Sequence, residues 1–96
     1  MTIALQKFGT TLISRQTGRE AFLALQPALQ GLPVRESLEI DFEGVLTFSP
    51  SWGDEFLTPL LDAYGKRLIL HHTTNPSVQA TLEILETSTG KRFRRG

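Results

Sequence analysis

Cysteine is absent from the 96 residues. Its absence excludes disulfides, thiolate metal ligands and a cysteine nucleophile. Histidine is scarce: His71 and His72 are the only two. Two adjacent side chains cannot by themselves enclose a metal, so carboxylates would have to supply any further ligands. Net charge is also missing, because ten Lys and Arg balance ten Asp and Glu, and this argues against a general nucleic-acid binder. No apolar run approaches the roughly 18–20 residues of a membrane span. The start Met1-Thr2-Ile3-Ala4 lacks the charged and apolar regions of an export signal, so the expectation is a cytoplasmic domain that touches no membrane. The glycines form neither G-x-G-x-x-G nor G-x-x-x-x-G-K-[ST], and no serine sits in G-x-S-x-G. A known phosphate loop and the commonest hydrolase arrangement are therefore unsupported, and no cofactor is expected.

What is present suits one domain. Hydrophobic residues make up 40% and charged residues 21%, unlike a disordered chain. A chain this size buries roughly 60–65% of its unfolded surface. Charge is distributed unevenly. Lys91, Arg92, Arg94 and Arg95 stand together at the end, which leaves six basic against ten acidic groups in residues 1–90. Seven acids (Glu36, Glu39, Asp41, Glu43, Asp54, Glu55, Asp62) fall in a stretch without a base. The division expected is a domain over 1–90 and a basic tail over 91–96. That tail is either a solvated, frayed terminus or an electrostatic contact for an acidic partner or nucleic acid.

Local patterns predict the elements. Thr2–Phe8 is a weak strand closed by Gly9, and Thr11–Ser14 a second short one. Thr17-Gly18-Arg19-Glu20 has the form of a capping box; Ala21, Phe22, Leu25, Ala28 and Leu29 follow at helical spacing, with Pro27 inside and Gly31 as the end. Ser37–Phe42 alternates strictly and is the clearest strand. Ser49-Pro50 reads as N-cap and first helical residue, opening a helix with Trp52, Phe56, Leu60 and Tyr64 on one stripe, Pro59 inside and Gly65 at its end. Arg67–His71 is a nearly all-apolar strand. Asn75-Pro76 opens a last helix that Gly90 ends. Such alternation predicts an α/β fold: a small sheet of about four strands, mostly parallel or mixed, packed with three main helices. A free edge on the weak first strand offers a route to a homodimer.

Three features invite chemistry, and each has a structural alternative. Asp54 and Glu55, near Ser49 and Ser51, suit a general base paired with His71 or His72; equally, acids in a first turn complement the helix dipole. Adjacent carboxylates on a helix point about 100° apart and do not naturally converge on one substrate. His71-His72 follows a strand whose end would lie at the ligand-binding edge of an open α/β sheet, or is a structural pair. Trp52 is either core, as the start of its stripe, or an interface anchor at the helix mouth.

The stretch Ile40-Asp41-Phe42-Glu43-Gly44-Val45, continued by Phe48-Ser49-Pro50-Ser51-Trp52-Gly53-Asp54-Glu55, resembles the STAS-like family. Its members are small relatives of the domains in sulfate transporters and anti-sigma factor antagonists. Ser14-Arg15-x-x-Gly18 upstream, and Leu68-Ile69-Leu70 with Asn75 downstream, are similar to the family as well, so the likeness covers nearly the whole chain. The resemblance implies a STAS-like layered sandwich and a non-catalytic role in bacterial signalling. A partner, typically a GHKL-type ATP-binding kinase, would dock on the central helix start and the loop before it. Ser49, Ser51, Trp52, Asp54 and Glu55 would form that surface, with Ser51 and Ser49 as candidate phosphoacceptors. A phosphate there adds about −1.5 to −2 charges at a helix N-terminus. The sequence departs from the family pattern: Trp52 and Gly53 stand for Phe and Ala, Ser49 for the Asp, and the usual acceptor position holds Pro50, which cannot be phosphorylated. Either Ser49 or Ser51 substitutes or, the favoured reading, the classical switch is lost. The alternative function is a small-ligand or nucleotide-sensing domain using Phe48-Ser49 and His71-His72.

Overall fold

The computed structural model describes all residues from Met1 to Gly96. The elements run β1 (Thr2–Ala4), β2 (Thr11–Leu12), α1 (Arg15–Leu29), β3 (Leu38–Asp41), β4 (Thr47–Phe48), α2 (Pro50–Tyr64), β5 (Leu68–His71), α3 (Pro76–Thr89) and β6 (Arg94–Arg95). Short 3₁₀ turns at Leu5–Phe8 and Gly65–Arg67 complete the chain. Four strands form a sheet in the order β1-β3-β5-β6, and every pairing is parallel. A second, two-stranded parallel sheet joins β2 to β4. The α/β class, the three helices and the parallel sheet are thus as expected.

Each crossover steps to the next strand in the same direction, so one handedness of connection puts all three helices on one face. Burial agrees with this layering. Ile3, Leu38, Ile40, Leu68 and Leu70 are buried, while the alternate residues Thr2, Ala4, Glu39, Asp41, Ile69 and His71 are exposed or half-buried. The helices form one layer, α2 packing against both α1 and α3. Between the layers lies a single core, whose aromatic centre is Phe42, Phe48, Trp52 and Phe56. Trp52 stacks on Phe56 with ring centres 4.9 Å apart, and Phe42 meets Phe48 edge-on at 5.0 Å, a geometry aromatic rings prefer.

Several boundaries differ from expectation for identifiable reasons. The first helix starts three residues early: Ser14, not Thr17, is its N-cap, with the Ser14 hydroxyl accepting from the Thr17 N–H at 3.1 Å. The Glu20 carboxylate accepts from Gln16 instead. Gly31 does not close α1 in a left-handed conformation; the cap is Gln30, with φ −61°. Both α1 and α2 run through their internal prolines.

The larger correction concerns the basic tail. It is neither frayed nor outside the domain. Arg94 and Arg95 form β6 beside β5, and Phe93 is buried in the core. Glu86 of α3 clasps this strand, accepting from the Phe93 N–H at 2.8 Å and from Arg95 Nη1 at 3.1 Å. Lys91 Nζ reaches Asp62 at 2.7 Å. The tail's charge is therefore spent partly on the chain's own acids.

Candidate functional site

The predicted site residues gather where β4 feeds α2 and where α1 begins. Ser49 caps α2 from an extended backbone conformation, its hydroxyl accepting from the Trp52 N–H at 3.2 Å. The same hydroxyl donates to the carbonyl of Ile13, tying the α2 entrance to the end of β2. Both hydrogen-bonding directions of Ser49 are thereby used. Ser51, half-buried in the first turn, makes no side-chain hydrogen bond within the chain.

Trp52 is 1% exposed. Of its two sequence roles the structure gives it the core one, so it presents no anchor to a partner. Its stripe turns inward because Trp52, Phe56 and Leu60 lie on the helix face that meets the sheet. Gly18 explains how α1 comes so close: a Cβ there would sit 2.6 Å from the Trp52 carbonyl oxygen. Gly53 fits as tightly, since a Cβ would lie 2.9 Å from Leu85 and from Phe48.

Asp54 and Glu55, expected to diverge, converge after all, on a cation rather than a substrate. Arg15 Nη1 donates to Asp54 Oδ2 at 3.0 Å and to Glu55 Oε1 at 3.1 Å. Hydrogen bonds to Asp54 first, then Glu55, hold the Arg15 guanidinium above its ordinary pKa. All three side chains are at least partly solvated, so the cluster remains accessible and its ion pairs are screened. Arg15 and Gly18, two residues that carried the family likeness, thus join α1 to the α2 N-terminus.

The residues that the sequence did not single out are the neighbours of Phe48. Its backbone N–H donates to Ser77 Oγ at 3.0 Å, and its carbonyl accepts from the Ser77 and Thr81 hydroxyls of α3. These side chains satisfy a strand end that has no ladder partner on that side, as burial requires. Two apolar side chains of the β2–β4 ribbon are exposed: Ile13, just after β2 and bonded through its carbonyl to Ser49, is 51% exposed, and Leu46, just before β4, is 66% exposed.

His71 and His72, at the carboxyl end of the interior strand β5, form no hydrogen bond or ion pair with Asp54 or Glu55. His71 Nε2 is 2.7 Å from Glu39 Oε1, and His72 Nδ1 is 2.7 Å from Asp41 Oδ1. The Asp41 contact, by hydrogen bond and then by charge, raises the His72 pKa. Burial alone would raise Asp41, but the Glu43 N–H and His72 outweigh it and lower its pKa. The catalytic pairing weighed from the sequence, a first-turn carboxylate with a histidine, is not assembled. Concave regions lie along α3, at Glu83, Glu86 and Lys91 and at Ile84 and Ser88, and between Phe8, Ala24 and Trp52. No helix is long and apolar enough to cross a membrane.

Compared with known proteins, the chain matches no family model, no curated protein and no solved structure.

Proposed function

We propose that the chain is a non-catalytic protein-interaction module of the STAS-like kind, acting in cytoplasmic signalling. Its docking surface is the outward side of the α2 N-terminus together with the β2 and β4 ends. The partner this reading implies is a GHKL-type ATP-binding protein, on the strength of the resemblance around Asp41–Glu55.

One observation carries the reading. The α2 entrance combines an unpartnered Ser51 hydroxyl, a solvated Arg15–Asp54–Glu55 cluster and the exposed apolar side chain of Ile13, with Leu46 exposed at the far end of β4. Apolar contacts bordered by charge are what a protein partner can desolvate and orient on. The surface is narrower than the five residues expected from sequence, because Trp52 is core and Ser49 is committed to its cap and to Ile13. Ser51 is the better phosphoacceptor of the two serines. A phosphate on it would sit beside the positive end of the α2 dipole and near Asp54 and Glu55, whose two charges Arg15 offsets by one.

The test uses Ile13→Arg and Leu46→Arg, both at exposed positions, as baits beside the unaltered chain in extract of the native cell. The expected result is that the unaltered chain retains an ATP-binding kinase-like protein and the two folded variants do not. Retention of the same protein by all three baits would remove this surface from the docking role.

A further inference from the structure

We propose that Asp41, Glu43 and His72 form a binding site for a divalent transition-metal cation at the carboxyl end of the four-stranded sheet. One ligand atom from each residue lies within 4.8 Å of the others. No site described above uses these residues together.

The strands set this placement. Asp41 ends β3 and His71 ends β5, and the two are register partners. The Phe42 N–H donates to the His71 carbonyl at 3.0 Å, holding the two chain exits side by side. His72 is then the first residue beyond β5 and Glu43 the second beyond β3. Asp41 Oδ1 accepts from the Glu43 N–H at 2.9 Å, and Gly44, with φ +82°, turns the chain away immediately afterwards. His72 has φ +55° and is the one non-glycine residue with positive φ. Most side chains avoid this conformation, histidine less so than most.

The donor set selects the class of ion. One imidazole nitrogen and two carboxylate oxygens suit Zn²⁺, Co²⁺, Ni²⁺ or Mn²⁺, whereas Mg²⁺ and Ca²⁺ favour oxygen alone. His72 and Glu43 are exposed, so solvent can reach the cluster and water can complete the coordination shell. An ion here would join the end of β3 to the end of β5. The sequence allowed a metal only if carboxylates came to the histidines, and the fold brings two of them to His72.

The test is calorimetric titration of the full chain with ZnCl₂, alongside thermal denaturation with and without the ion. Two variants accompany it: Glu43→Gln, at an exposed position, and His72→Asn, in which asparagine tolerates the left-handed backbone. The expected result is a single saturable site, a Zn²⁺-dependent rise in Tm, and a loss of affinity of about tenfold or more in each variant. Absence of saturable binding would overturn the site. So would unchanged affinity in both variants.

Discussion

The two sides of the α2 first turn differ more than their shared helix suggests. On the inward side Trp52 and Gly53 are buried; Phe48 and Leu85 leave no room for an added methyl group at Gly53, and the Trp52 backbone leaves none at Gly18 of α1. On the outward side Ser51, Asp54 and Glu55 are half-buried, and the side chains bonded to the two acids are Arg15 and Thr58. Close-packed interiors register the loss or gain of one methylene, whereas solvated positions tolerate most changes. Substitution inward should therefore read out as stability, and substitution outward as binding.

The largest expected effect is inward. Trp52→Ala should destabilise the fold by about 3–5 kcal/mol, measured by denaturant unfolding. A small loss there, with binding abolished, would move Trp52 back to the surface role. Next comes Gly18→Ala. Alanine is the better helix former, yet its Cβ meets the Trp52 backbone, and overpacking of this kind costs about 1–3 kcal/mol. A more stable variant would show that α1 shifts freely away from α2. Ser49→Ala removes the α2 cap and the link to Ile13, and should cost about 1 kcal/mol by the same measurement.

Away from the turn, the clasp on β6 adds a pH test. Burial alone would raise the Glu86 pKa, but the hydrogen bonds from Arg95 and Phe93 outweigh it and hold the value below the ordinary 4.5. A carboxylate lowered in the folded state stabilises fully above its unfolded pKa and loses that contribution as pH falls through the folded one. Glu86→Gln should thus be less stable than the unaltered chain at pH 7. The gap should close as pH drops below 4.5. A gap that persists in acid would mean that Glu86 acts through packing instead of charge. The smallest stability effect belongs outward: Ser51→Ala should change unfolding by less than about 0.5 kcal/mol. A larger loss would show that the Ser51 hydroxyl supports the fold.

Where the determining chemistry is local, the sequence already carries it. Ser49-Pro50 and Asn75-Pro76 cap their helices as expected, because a side-chain oxygen and a proline act within three residues. The alternation Leu38-Glu39-Ile40-Asp41 likewise gives one buried face. Failures came where two local solutions competed or where a partner lay far along the chain. Ser14 and Thr17 are both able to cap α1. Ser14 holds the cap in the fold, where Arg15 reaches Asp54 and Gly18 meets Trp52. β4 and β6 are two residues long and exist only by pairing with Thr11–Leu12 and Ile69–Leu70. Phe93, an apolar residue among four cations, was the one available sign that the tail folds inward. For the site, Ser49, Ser51, Asp54 and Glu55 were legible as a group from their spacing at a helix start. Arg15 as their counter-ion was not, since 39 residues separate it from Asp54.

The most direct test of the central claim is affinity capture with the unaltered chain and with Ile13→Arg, after circular dichroism has shown that both are folded. Retention of an ATP-binding partner by the unaltered chain, and its loss from the folded variant, is the predicted result. Equal retention by both, or no ATP-binding protein on the unaltered chain, would contradict docking through the α2 entrance.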